Sequence, residues 1–146
     1  MSCLFVEQLC VIDCALLHPR RGLLGESWIV DVELEGGLDE QGMVLDFGRV
    51  KPLIKALIDE HVDHRLVVAR GDPGLSLEAV GDERTRLRYR YEDGELFHCS
   101  PSNALCVLGS DVVTAAAVEA HVGALCAAAM PPNVTAVRIM LRPEHI

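Results

Sequence analysis

Residues 27–64 constrain this chain more than any other stretch. From Ser27 to Glu35, Trp28, Val30, Val32 and Leu34 share one face, while Ile29, Asp31, Glu33 and Glu35 share the other. Alternation of that kind buries one set of side chains and solvates the other, the pattern of a half-exposed antiparallel strand. Gly36-Gly37 ends the strand, Met43-Val44-Leu45 is a short apolar piece, and Asp46 has the side chain to cap a helix. Phe47, Val50, Leu53, Ile54, Leu57, Ile58 and Val62 then recur at helical spacing and make one apolar face. Lys51, Lys55, Asp59 and Glu60 take the polar face. Pro52 lacks an N–H, which a helix tolerates only in its first turn, so the helix is expected to begin irregularly or near Lys51. At its end comes Asp63-His64, a carboxylate beside an imidazole, which is a candidate acid/base pair.

The remainder reads around that unit. Cys3 to Cys14 is a first strand, expected to pair with the second as a hairpin across a long loop, Leu17 to Ser27, marked by Pro19, Arg20, Arg21, Gly22 and Gly25. Arg65 to Ala69 is a short strand or an exit segment. Leu75 to Val80, Thr85 to Tyr91 and Glu95 to Cys99 are strands, the last two joined by an Asp93-Gly94 turn. Within them Arg86, Arg88 and Arg90 line one face and Leu87, Tyr89 and Tyr91 the other. The arginine face reads as a solvated surface with cross-strand partners such as Glu92 or Glu95, or as a phosphate site. Ser110 or Asp111 starts an alanine-rich second helix that ends before Pro131-Pro132, and Asn133 to Leu141 is a last strand. Two helices set apart from an antiparallel sheet make an α+β fold.

The length, 146 residues, suits one domain spanning 1–146. Thirteen basic against twenty-two acidic residues give a net charge of −9, which argues against a nucleic-acid surface. No apolar run is long enough to span a membrane, and the first residues lack a signal-peptide pattern, so a cytoplasmic protein is expected. The six cysteines form no C-x-x-C pair and read as reduced, mostly small core residues.

Three motifs resemble the 6-pyruvoyl-tetrahydropterin synthase / 6-carboxytetrahydropterin synthase family. They are Val32-Glu33-Leu34-Glu35-Gly36 followed by Gly42-Met43-Val44-Leu45-Asp46-Phe47 and Lys51; Val62-Asp63-His64-Arg65-Leu66, similar to Leu-Asp-His-x-x-Leu; and a final helix, Pro132-Asn133-Val134 and a strand. The resemblance covers most of the chain except about 69–109, which reads as a β-rich insertion. It implies a tunnelling fold: a four-stranded antiparallel sheet with two main helices packed on one face. It implies a homo-oligomer, a trimer or hexamer, acting on 7,8-dihydroneopterin triphosphate with zinc on three histidines, a cysteine and an Asp-His pair. Asp63 and His64 match that pair. Thr114 resembles a threonine beside the pterin, and Glu144 is a substitute for a pterin-anchoring glutamate whose own place Arg142 occupies.

Other parts depart from the family. Where the resemblance places Cys-x-x-Leu-His-Gly-His, this chain reads Arg21 to Trp28; the cysteine becomes Arg21 and the two histidines become Gly25 and Ser27. The first histidine corresponds to Leu16, or to His18 with a shift. No metal ligands are therefore assigned in this chain, although zinc is the family's cofactor. Three expectations stay open: a lyase-like protein with a changed site, the first half of a tandem protein whose second copy carries the missing residues, and a non-catalytic oligomeric scaffold or pterin/purine-binding module.

Overall fold

The computed structural model describes residues 2–37 and 47–144. It runs β1 (Ser2–His18), β2 (Gly22–Gly36), α1 (Phe47–His61), β3 (Leu66–Ala69), β4 (Leu75–Val80), β5 (Arg84–Tyr91), β6 (Gly94–Pro101), a 3-10 turn (Ser102–Ala104), β7 (Leu105–Leu108), α2 (Ala115–Ala129) and β8 (Val134–Pro143). The Gly42–Asp46 part of the first motif, with Asp46 as a cap, lies outside the described residues.

The strands form a five-stranded sheet in the order β7-β3-β1-β2-β8 and a three-stranded sheet in the order β4-β5-β6. The fold is α+β as expected, and β1, β2 and β8 pair antiparallel. The sheet is nevertheless wider than the four antiparallel strands implied, because β3 joins β1 in parallel and β7 joins β3 in parallel. Parallel neighbours need a long crossover. The segment that reads as an insertion supplies the one between β3 and β7, as a sheet of its own.

The β1–β2 connection also differs from the sequence reading. His18 pairs with Gly22, so Pro19, Arg20 and Arg21 alone make the turn. The imidazole Nδ1 of His18 accepts the backbone N–H of Arg20 (3.1 Å) and of Arg21 (3.2 Å), and Gly22 takes the positive φ (+74°) that closes such short hairpins. With three turn residues held this way, both strands run on through what reads as a loop.

Alternation then assigns the layers. Ile12, Leu16, Trp28, Val30, Val32 and Leu34 pack with Val50, Ile54, Ile58 and Val62 of α1 and with Val118, Val122 and Cys126 of α2. On the opposite face Leu17, Val68, Leu87 and Tyr89 form a second cluster, joined by Leu75, Leu77, Leu96, Leu105 and Val107. The short strands β3 and β7 give alternate residues to each core, Val67 and Ala69 to one and Val68 to the other. Burial on both faces explains why Leu66 to Ala69 and Leu105 to Leu108 are unbroken apolar runs.

Polar groups fix the frame. β1 is irregular between Val6 and Cys10, where Gln8 has a positive φ of 52°. Asp31, 8% exposed, accepts the Gln8 N–H (2.9 Å) and Arg142 Nε (2.9 Å), tying that irregularity to the edge strand β8. Burial by itself would raise the Asp31 carboxyl, but these donors outweigh it and hold it below the ordinary value. Helix α2 begins at Ala115, four residues after Asp111, because Thr114 caps it: its hydroxyl accepts the Ala117 N–H at 3.0 Å. The arginine face of β5 has carboxylate partners, Arg88 and Arg90 on Glu95 and Arg86 on Glu78. Among the described residues, no helix is long and apolar enough to cross a membrane.

Candidate functional site

The acid/base pair sits where α1 gives way to β3. The Asp63 N–H still reaches the Ile58 carbonyl (2.9 Å), after which the chain turns at His64 with a φ of +59°. A left-handed conformation is unusual for histidine, and local contacts hold it here. The His64 N–H donates to the Asp13 carbonyl at 2.8 Å, and the Asp13 N–H donates to Asp63 Oδ1 at 2.9 Å. Two bonds in opposite directions therefore seat the dipeptide on β1. The next rung, Ala15 N–H to the Arg65 carbonyl (3.1 Å), leads into the parallel ladder of β3.

Across the hairpin Ser27 pairs with Asp13, and its hydroxyl donates to Asp13 Oδ1 at 2.6 Å. The Glu144 N–H donates to the Ser27 carbonyl at 3.0 Å. The ends of α1 and β8 thus meet the interior of the β1–β2 ladder around Asp13, Ser27, Asp63, His64 and the Glu144 backbone. Asp63 is largely covered, its side chain 15% exposed, whereas that of His64 is 76% exposed. Their side chains stand 3.8 Å apart, His64 Nδ1 to Asp63 Oδ2, an ion-pair distance and not a hydrogen bond. The imidazole is exposed to solvent, and the carboxylate is held by the Asp13 N–H.

Thr114 stands apart from this group, exposed at the start of α2 with its oxygen on the helix cap. Arg142 is bound to Asp31, so that residue is committed to the frame. Asp13 was not legible as a site residue; its only signal was a carboxylate set between Ile12 and Cys14 in the apolar run Leu9 to Leu17. A cleft of about 250 Å³, lined by Glu60, His61, Arg65, Asn103 and Leu105, opens beside the end of α1. Arg65 donates from Nη2 to the Glu60 carbonyl, and its buried Nε has no partner among the described residues.

The zinc site implied by the resemblance does not fit the residues present. Leu16 is 6% exposed and packed in the helix-side core, in register with Leu24. His18 holds the hairpin turn through Nδ1. Gly25 has no side chain, and Ser27 donates to Asp13. A catalytic zinc takes three protein ligands, and these positions offer at most the single remaining nitrogen of His18. The two part-buried thiols of β1, Cys10 and Cys14, are not activated. Burial, with the charges of Glu26, Asp13 and Asp63 adding to it, pushes Cys14 up to about 12; burial pushes Cys10 up to about 11. Both stay protonated at neutral pH and are poor nucleophiles. Among the described residues, two groups do bring potential metal ligands together: Asp13, Asp63 and His64, and Cys3, Glu33 and Glu35.

A family model described as 6-pyruvoyl tetrahydropterin synthase matches residues 11–142. The chain is 37% identical over 60 residues to the 6-carboxy-5,6,7,8-tetrahydropterin synthase of Rickettsia bellii, covering 40% of this chain and 39% of that protein. It is 41% identical over 46 residues to a putative 6-carboxy-5,6,7,8-tetrahydropterin synthase of Pyrococcus horikoshii, covering 32% of this chain and 26% of that one. The matches thus span about two fifths or less of those relatives' length. Among solved structures, the 6-pyruvoyltetrahydropterin synthase of Plasmodium vivax superposes with a TM-score of 0.70 at 16% identity, over 98% of both chains. That of Plasmodium falciparum gives 0.68 at 16% identity, also over 98% of both chains. At such identity the structural likeness concerns the fold.

Proposed function

The chain belongs to the 6-pyruvoyl tetrahydropterin synthase family, and on that premise we propose that it acts on a reduced pterin of the dihydroneopterin triphosphate type. Asp63 and His64 move the protons. The observation that carries this reading is the docking of the pair on β1: the His64 N–H donates to the Asp13 carbonyl and the Asp13 N–H donates to the Asp63 carboxylate, and the imidazole is exposed. An imidazole placed this way can take a proton from a substrate carbon or hydroxyl and return it, with the Asp63 carboxylate near enough to stabilise the charged form. No step is assigned to zinc, because the residues of this chain do not fit it.

In this reading one domain spans 1–146, the protein is cytoplasmic, and it works as a homo-oligomer, trimeric or hexameric. Exposed Phe5, Val11 and Leu23 on β1 and β2, together with the outer edges β7 and β8, support association. Thr114 and Glu144 are proposed pterin contacts; the Glu144 side chain is exposed at the same end of the sheet as His64.

A different use of the fold, a non-catalytic oligomeric scaffold or pterin-binding module, is favoured by the poor fit of the zinc positions. Turnover of 7,8-dihydroneopterin triphosphate separates the two. The variant to compare is His64→Asn, since asparagine tolerates a positive φ and keeps the turn, while alanine does not. A proton-transfer role predicts a loss of about 10²–10⁴-fold with binding retained. Equal turnover in the variant excludes the pair as catalytic, and wild-type protein that binds the pterin without turning it over establishes the module.

A further inference from the structure

We infer that the cleft beside the end of α1 is a binding site for a phosphate group, anchored by Arg65. The cleft, about 250 Å³, is lined by Glu60, His61, Arg65, Asn103 and Leu105. Three elements build it. His61 closes α1, Arg65 stands just before β3, and Asn103 lies in the 3-10 turn before β7. The parallel pairing of Leu66 with Leu105 sets that turn beside Arg65. Asp63 and His64 do not line the cleft, so the site is separate from the proton-transfer pair and does not rest on it.

Arg65 stands out among the basic residues of the chain. Every other described lysine and arginine is exposed, whereas Arg65 is half-buried. Taking a charge out of water is unfavourable unless the charge is paired. Lys55, Arg86, Arg88, Arg90, Arg138 and Arg142 each face a carboxylate. Arg65 forms no ion pair with a described residue, in a chain that has twenty-two acidic residues. A guanidinium also carries five N–H bonds to donate. Nη2 donates to the Glu60 carbonyl at the end of α1. Nε is the one buried side-chain nitrogen or oxygen among the described residues that has no hydrogen-bond partner. A buried donor left this way calls for a partner from outside the chain. An anion in the cleft supplies the guanidinium with the counter-charge and the acceptors that the fold withholds.

The lining selects the anion. Arg65, His61 and Asn103 bring N–H donors from three elements, which suits a group with several acceptor oxygens around one centre. Arginine is also the side chain whose planar fork matches phosphate. Glu60 is the one carboxylate in the lining; it is exposed, and it stands 3.8 Å from His61 Nε2 and not against Arg65. The volume is smaller than that of pockets for drug-sized molecules, so the phosphate enters as a free ion or as the end of a small ester.

The test is a titration of the full chain with inorganic phosphate at constant ionic strength, followed by NMR at the Arg65 Nε–H and the Asn103 amide. The site predicts a saturable shift with about one phosphate per chain. Arg65→Gln should weaken binding by at least about tenfold, and Asn103→Ala by about threefold. Glu60→Gln removes the opposing charge and should tighten it. Glu60 and Asn103 are exposed, so those two variants keep the fold and decide the matter even if Arg65→Gln loosens the end of α1. Arg88→Gln, on the small sheet, should bind as the wild type does. Tighter binding of glycerol phosphate than of inorganic phosphate assigns the ester, and the reverse assigns the free ion. The site is excluded if the wild type shows no saturable shift, if Asn103→Ala and Glu60→Gln both leave the affinity unchanged, or if acetate binds as tightly as phosphate. Binding is read without turnover, so its failure leaves the proton-transfer reading standing, and inactivity leaves the phosphate site standing.

Discussion

Tyr89→Phe tests how the three-stranded sheet is fastened to the rest of the protein. Tyr89 is fully buried in the second core, and its hydroxyl donates to Asp72 Oδ2 at 2.6 Å. Asp72 is itself 7% exposed, and its other oxygen accepts the Gly74 N–H at 2.9 Å. That carboxylate sits in the turn leaving β3, whose backbone then binds β5 through Arg90 N–H to the Gly74 carbonyl (2.9 Å). The close approach leaves no room at Gly74, where a Cβ would meet the Arg90 carbonyl oxygen at 2.2 Å. Removing the hydroxyl deletes a charge-assisted bond and leaves a buried carboxylate oxygen unpaired. Bonds of that kind contribute about 1.5–3 kcal/mol, so a loss near 2 kcal/mol is expected. Burial and then the Asp72 bond hold the Tyr89 hydroxyl well above its usual pKa, so it stays a donor through the neutral range. Urea unfolding measures the cost. Tyr91→Phe is the control, since that ring stacks on Tyr89 at 6.3 Å but its hydroxyl makes no hydrogen bond to a described residue. It should change stability by less than about 0.5 kcal/mol. If the two variants cost the same, the Tyr89–Asp72 bond does not fasten the sheet.

Two further expectations concern ionisation. Because Asp31 has a folded pKa below its ordinary 3.8, its ion pair with Arg142 stabilises the protein above that value and is lost as pH falls through the lower folded one. Unfolding measured from pH 5 to pH 2 should show a steeper acid loss in the wild type than in Arg142→Gln, and parallel curves would refute the assignment. Burial raises Cys10, Cys106 and Cys126 to about 11 and Cys14 to about 12, whereas Cys3 and Cys99 are exposed. Thiol labelling of native protein at pH 8 should therefore modify Cys99 first, Cys3 next and the other four only on unfolding; rapid labelling of Cys14 would contradict this burial.

Periodic elements were legible in the sequence because burial alone fixes them. The alternation of Trp28 to Leu34 and the helical spacing of Val50, Ile54, Ile58 and Val62 both correspond to packed faces. Asp93-Gly94 marks the turn between β5 and β6. The misreadings arose where turn-forming residues occur without a turn. Gly25 lies within β2 with open space around it, so its presence says nothing about a loop. Ser110 and Asp111 look like helix caps, but Val113 is buried and it is Thr114 that makes the capping bond. Strand β7 went unread because a four-residue apolar run has no period to detect. At the candidate site, Asp63 and His64 were legible as neighbours, while the contribution of Asp13 depends on pairing across fifty residues of chain.

The crossover between β3 and β7 has a consequence for the order of folding. Its two hairpins close over short loops, at Gly81–Glu83 and at Glu92–Asp93, and their strand pairing is local in sequence. The parallel rungs from Leu66 to Ala69 and from Leu105 to Leu108 gain nothing until the whole of 70–104 has been gathered in. Loop entropy must be met before such distant pairings form. Pulse-labelled hydrogen exchange should accordingly find the β5 amides protected early and those of β7 among the last, making the small sheet a nucleus that draws its own flanking strands together.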